Sequence, residues 1–287
     1  MHTHHGARMS ATGGRSSQRS LAWARRPRTL IVLAVVLLVA AVASVAAVAS
    51  VKLTSQGGAR CQGLFLPAYF YPGPEWTRAD DSRPGPGNLI LDITSTGAGS
   101  SPSGVFQTAV GQARASGITV LGYSSTSYGR RSLAQVEADV RNYKAWYGVT
   151  GIFLDEVPVT GSQVPYYREL VSYIHRVNPG SAVWLNAGTY PDQRYMSLGA
   201  VIMVFEGPYA SYLNTPVPSW ADNYPAAMFA NAIYDAPGSK LANALRLAES
   251  RHVGHVYVTD RSGSNPYGSL PSYWSREASG VSPGCGG

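Results

Sequence analysis

The chain is poor in the residues that mark several common chemistries. It has two cysteines, Cys61 and Cys285, in 287 residues, and a disulfide between them would leave no thiol for catalysis. Three of its six histidines, His2, His4 and His5, crowd the start, and the rest lack metal-ligand spacing. No metal site and no cofactor is therefore expected. No G-x-S-x-G elbow follows a predicted strand, which leaves serine-nucleophile chemistry weakly supported. No glycine-rich phosphate loop opens any predicted helix. Acidic residues are absent from residues 1–29, where six of the 23 basic residues lie, so 17 remain to balance 16 acids in the rest of the chain. That near-neutral remainder argues against a nucleic-acid partner, which needs a concentrated basic face.

What is present begins with a hydrophobic segment. Residues 30–51 form an apolar run of 22 residues flanked by arginine only on its N-terminal side. A helix of that length spans a hydrocarbon core of roughly 30 Å. The arginines keep residues 1–29 in the cytoplasm and send the remainder across, giving a single-pass protein with its domain outside the cytosol. The competing reading is a cleaved secretory signal, for which Ala46, Ala47 and Ala49 supply small residues, although such signals usually carry shorter apolar cores. In either case the protein leaves the cytosol, as a membrane or a secreted protein. Residues 52–60 read as a polar linker, and residues 61–287 as one domain bracketed by Cys61 and Cys285. A disulfide between them suits an oxidising compartment and requires the domain's termini to meet.

Within residues 61–287, strand-like and helix-like stretches alternate. Strands are predicted at 63–70, 88–94, 119–125, 151–157, 182–187, 200–206, 228–234 and 255–260. Helices are predicted near 103–116, 132–147, 165–177 and 239–250; the second has Ser132 as N-cap and Leu133, Val136, Val140 and Tyr143 on one face. Eight strands with intervening helices over this length predict an α/β fold, a single (β/α)8 TIM barrel preceded by one transmembrane helix, with a doubly wound open sheet as the alternative. A monomer is expected.

The chemistry collects where those strands end. GIFLDEV, residues 151–157, is a strand running into two acids, Asp155 and Glu156, and the sixth strand ends in Glu206. Period-two alternation puts Phe153 and Asp155 on one face of the fourth strand, with Asp155 aimed into the barrel mouth. Carboxylates on strands four and six can approach within the roughly 5 to 9 Å that glycosidases use for an acid and a nucleophile or base. Asp92, Tyr123, Asn186 and Thr259 with Asp260 also end strands; Asp92, Tyr123, Asn186 and Tyr209 are the candidate substrate contacts. All 18 tyrosines follow residue 51, many in strand-end loops, including Tyr69, Tyr71, Tyr128, Tyr212 and Tyr267. Rings with an apolar face and a polar edge suit a sugar ligand.

The run VLGYSSTSYGRRSLAQVEADVRNYKAWYGVTGIFLDEV, residues 120–157, with LPAYFYPG and VIMVFEGPY, resembles the spherulation-specific family 4 proteins. The resemblance implies a (β/α)8 glycoside-hydrolase-like protein acting on α-1,4-linked N-acetylgalactosamine in microbial exopolysaccharide. It implies catalytic roles for the adjacent acids Asp155 and Glu156 and for Glu206. Residues 1–60 and the Cys285 tail lie outside it. The expected protein is thus an extracytoplasmic hydrolase with a polysaccharide partner. The alternative is a non-catalytic cell-surface module that binds polysaccharide.

Overall fold

The computed structural model of the protein describes residues 62–281. The expected arm, membrane anchor and linker over residues 1–60 lie outside the described residues, as do Cys61 and Cys285 and hence the expected disulfide. Among the described residues no helix is long and apolar enough to cross a membrane.

Eight parallel strands close into one barrel in sequence order: β1 (Gly63–Ala68), β2 (Asn88–Leu91), β3 (Thr119–Ser125), β4 (Gly151–Asp155), β5 (Ala182–Asn186), β6 (Val201–Pro208), β7 (Phe229–Tyr234) and β8 (His255–Val258). Closure comes from β8 returning to β1, with Gly63 opposite His255 and Leu64 opposite Val256. Strands covered on both faces carry apolar residues at successive positions. In β4 the four residues Gly151–Leu154 are buried, and only the terminal Asp155 meets solvent. Inside the barrel, Phe65 meets Trp184 edge-on at 5.2 Å between ring centroids, and Tyr123 stacks on Phe153 at 6.0 Å.

The helical shell departs from one helix per strand. Helices α1 (Pro74–Asp80), α2 (Gly104–Ala115), α3 (Leu133–Asn142) and α4 (Val164–Val177) follow β1 to β4. After β5 there is only a 3-10 segment, Gln193–Leu198, and after β6 the single turn α5 (Tyr209–Tyr212) gives way to two 3-10 segments. Pro216, Pro218 and Pro225 crowd that connection, and proline inside a helix removes a donor and clashes with the preceding turn. Regular helices resume with α6 (Leu241–Ser250) and α7 (Trp274–Gly280). Helix α3 starts at Ser132, where the Gln135 side chain accepts the Ser132 N–H at 3.2 Å, the reciprocal half of a capping box. Its last turn widens into a π-helical segment, Tyr143–Tyr147, instead of continuing as α-helix.

Two local features set the barrel's geometry. In β6 the register shifts between Met203 and Phe205: Met203 pairs with Ala230, Phe205 with Asn231 and Glu206 with Ala232. Val204 is the extra residue of a β-bulge, so side chains beyond it change phase. Asn231 and Phe205 face outward, where both meet Tyr212 of α5, by a 2.8 Å hydrogen bond and by ring contact. Glu206 and Ala232 consequently face the interior. The second feature is Gly122 on β3, over which the Tyr143 ring lies; a Cβ there would stand 2.4 Å from the ring. Gly122→Ala is expected to cost about 1–3 kcal/mol through overpacking, read as a lower urea midpoint with an unchanged far-UV spectrum. An unchanged midpoint would mean that Tyr143 moves aside freely.

Candidate active site

The C-terminal ends of the strands place a ring of polar side chains at one mouth of the barrel. A cavity of about 440 Å³ opens there, lined by Tyr69, Asp92, Tyr123, Glu206, Tyr234 and Tyr267 among others. A larger cavity of about 760 Å³ opens among residues at the strands' N-terminal ends, including Gly63, Asn88, Thr119, Ala182 and His255, and among the described residues its only acid is Asp80. Barrel chemistry belongs at the C-terminal mouth, and the paired carboxylates are found there.

Asp155 and Glu206 meet through Asn186. The Asn186 amide nitrogen donates to Asp155 Oδ1 at 2.8 Å and also to Glu206 Oε2. Two oxygens bonded to a single nitrogen lie no more than about 6 Å apart. The amide is oriented from behind, since its Oδ1 accepts the Gly188 N–H at 2.9 Å. Each acid also receives one tyrosine: Tyr123 donates to Asp155 Oδ2 at 2.7 Å, and Tyr267 donates to Glu206 Oε1 at 2.9 Å. Strand register explains the first of these. Tyr123 pairs with Phe153, so its ring covers Phe153 and its hydroxyl reaches the next inward residue of β4, Asp155.

Glu156 is turned away from this pair. It adopts a left-handed backbone, φ 56°, and its carboxylate accepts the Ser125 hydroxyl and, at 3.1 Å, the Ser127 N–H. The three predicted acids thus share one mouth, but only Asp155 and Glu206 are joined. Of the predicted substrate contacts, Asp92, Tyr123 and Asn186 all lie at the mouth; Asp92 Oδ1 accepts the Ser95 N–H at 2.7 Å. Tyr209 does not belong there. Strand β6 runs on through Pro208, and Tyr209 starts α5 with its hydroxyl accepting Asn243 Nδ2 of α6 at 2.7 Å. Asp260 is likewise occupied outside the cavity lining, accepting the Ser272 N–H at 3.0 Å, while Thr259 accepts the Arg261 N–H at 3.1 Å.

Two central residues appear in the sequence only as loop tyrosines. Tyr69 stands edge-on to Tyr123 at 5.7 Å and to Tyr267 at 5.4 Å, at the centre of the mouth. Tyr267 comes from the loop after β8, which is tied to β1 by Asn265 donating to the Tyr69 carbonyl at 3.1 Å. Hydroxyls on strand-end loops were the available signal, but nothing in the sequence singled out these two.

The electrostatics follow from burial, since no ion pair among the described residues includes Asp155 or Glu206. Desolvation raises the Asp155 carboxyl above its ordinary pKa; the hydrogen bonds from Tyr123 and Asn186 oppose the shift and the Glu156 charge adds to it. Glu206 is raised by desolvation and then by Asp155, against the hydrogen bonds from Asn186 and Tyr267. Asp92 is raised mainly by desolvation. Burial and the neighbouring carboxylates push Tyr123 and Tyr267 upward, so both remain protonated donors. Two facing acids with raised values give up their protons in separate steps, and between those steps the pair holds one proton.

A stability consequence follows from that shift. The fold retains a proton on Glu206 that the unfolded chain releases near 4.5. The stability tied to it is complete below that value and is lost as pH rises through the folded value. Melting temperature is expected to fall across this window, and Glu206→Gln to lessen the fall and to melt higher than wild type at neutral pH. A variant that melts lower at neutral pH would contradict the account.

The chain matches the model of the spherulation-specific family 4 over residues 63–281. It is 32% identical over 231 residues to spherulin-4 of Physarum polycephalum, covering 76% of this chain and 69% of that protein. Among solved structures, Aspergillus clavatus Sph3 in complex with GalNAc superposes with a TM-score of 0.68 at 24% identity, covering 77% of this chain and 97% of that one, a likeness of fold. The chain belongs to the spherulation-specific family 4.

Proposed function

We propose that this protein is an extracytoplasmic glycoside hydrolase that cleaves α-1,4-linked N-acetylgalactosamine or galactosamine in exopolysaccharide, with Asp155 and Glu206 as its acid and its nucleophile or base. The observation that carries the reading is the pair of desolvated carboxyls held on one Asn186 amide in the barrel mouth. Glycoside hydrolysis needs one carboxyl protonated to deliver a proton to the leaving oxygen and another ionised to attack or to activate water. A pair that holds one proton over part of the pH range meets both needs. The tyrosine rings around it supply apolar faces for sugar. Sph3, whose fold this chain shares, was crystallised in complex with GalNAc, which supports the substrate class.

Glu156 supports the pair from the side: its charge raises Asp155, and its own carboxylate is engaged by Ser125 and Ser127. Oxygens of Asp155 and Glu206 bonded to a single nitrogen stand within about 6 Å of each other, near the roughly 5 to 5.5 Å spacing of retaining enzymes rather than the 6.5 to 9.5 Å that leaves room for water in inverting ones. Retention through a glycosyl-enzyme intermediate is therefore the proposed outcome. The location outside the cytosol rests on the apolar run at residues 30–51 with its one-sided arginines, and a Cys61–Cys285 disulfide remains part of the proposal.

Incubation of the protein with N-acetylgalactosamine polymers and with their deacetylated forms is expected to release oligosaccharides, with the anomeric configuration retained in early NMR spectra. Asp155→Asn and Glu206→Gln are each expected to lower the rate by at least about 10²–10⁴-fold without loss of fold. Polymer binding without release of oligosaccharides would instead identify a non-catalytic module, and an undiminished rate in either variant would remove that acid from the chemistry.

A further inference from the structure

Resting on the reading of this mouth as a polysaccharide site, we propose that Tyr128 is a separate sugar-stacking platform beside the carboxylates. It would hold a neighbouring pyranose unit of the chain while Asp155 and Glu206 act on the scissile linkage. Most large rings of the domain are buried, whereas Tyr128, on the loop between β3 and α3, is 51% exposed. An exposed ring on an ordinary loop would mean little. This one is held there against backbone preference.

Ser127, Tyr128 and Gly129 are successive left-handed residues, with φ of 48°, 58° and 78°. For the two that are not glycine this conformation is costly, the more so for a bulky side chain. The offsetting contacts come from Glu156. Its carbonyl accepts the Tyr128 N–H at 2.8 Å and its carboxylate accepts the Ser127 N–H at 3.1 Å. Glu156 is itself left-handed, so two strained turns clasp each other directly after Asp155. Strain of this kind persists only where surrounding contacts over-determine it, and it concentrates at ligand clamps. The Tyr128 ring is thereby mounted on the backbone that carries the candidate acids.

The ring is also prepared for a neutral, flat partner. The Arg130 guanidinium lies 5.6 Å from its centroid, covering one face and restricting the side chain, and the half-exposed ring leaves the other side to solvent. A pyranose presents C–H groups to an aromatic face and hydroxyls to water, which suits a platform with no buried polar group to satisfy. The continuity of Tyr128 with Glu156 commits the occupant to the same polysaccharide chain that enters the mouth.

The test uses the full-length protein and a ladder of N-acetylgalactosamine oligosaccharides. The ratio of kcat/KM on long chains to that on the shortest cleaved chain is expected to fall about three- to tenfold in Tyr128→Ala and Tyr128→Gly, chiefly through KM. Tyr128→Phe should recover most of that ratio. Tyr128→Gly should melt no lower than wild type, since glycine adopts φ near 58° freely, which separates a lost platform from a damaged fold. A loss independent of chain length, or no loss, would overturn the platform. If wild type cleaves nothing, the reading of the mouth fails first. The platform is then judged by polymer affinity in gel electrophoresis, where equal retardation of wild type and Tyr128→Ala would overturn it as well.

Discussion

One side-chain amide organises the mouth of this barrel. Asn186 donates to Asp155 and to Glu206 and is itself fixed by the Gly188 N–H. A neutral amide aligns two carboxyls without settling their charge. A lysine or arginine in the same place would hold both acids ionised and leave neither with a proton to give. The ion pairs found among the described residues join Arg131 to Asp139, Arg194 to Asp192 and Arg261 to Asp260, and none includes Asp155 or Glu206. Burial therefore acts on the pair with only neutral hydrogen bonds to oppose it, and both values rise. Tyr123 and Tyr267 complete a nearly symmetric arrangement in which each acid accepts one phenol and one amide hydrogen.

The barrel makes that arrangement by alternation and one exception to it. Tyr123 stands two residues before the end of β3, beside Phe153, and Asp155 and Asn186 end the adjacent strands β4 and β5. Glu206 joins them because the bulge at Val204 resets the phase of β6. Strict alternation along β6 from the inward Met203 would instead turn Glu206 to the outer face now taken by Phe205 and Asn231. A second deviation is the clasp of left-handed residues at Glu156 and Ser127–Gly129. The irregular pairing of β6 and this clasp both lie beside the acids, as expected where function overrides local preference.

Much of the scaffold was legible because parallel strands announce themselves as short apolar runs. The eight predicted strands match the eight formed, and period two within GIFLDEV, once Ile152 and Leu154 are taken as packed on the helices, turns Asp155 inward, where it meets Tyr123 and Asn186. Glu206 is expected to end its strand, but β6 runs on through Pro208, and the direction of Glu206 depends on pairing with β7, which no pattern within β6 reveals. Tyr209 misled for a related reason: β6 is two residues longer than its apolar run, and the chain turns Tyr209 onto α6. Tyr267 could not be selected from the sequence because its contact with Glu206 spans 61 positions. The missing helices after β5 and β6 were partly foreshadowed by the prolines at 216, 218 and 225.

The account depends on Asp155 and Glu206 being coupled, desolvated acids. Their ionisation is measured most directly by carboxyl 13C NMR titration of the wild-type protein and of Asp155→Asn. The account predicts that Glu206 titrates above the ordinary glutamate value of 4.5 in wild type and moves downward once the Asp155 charge is removed. A Glu206 that titrates at the ordinary value, or that does not respond to Asp155→Asn, would contradict it.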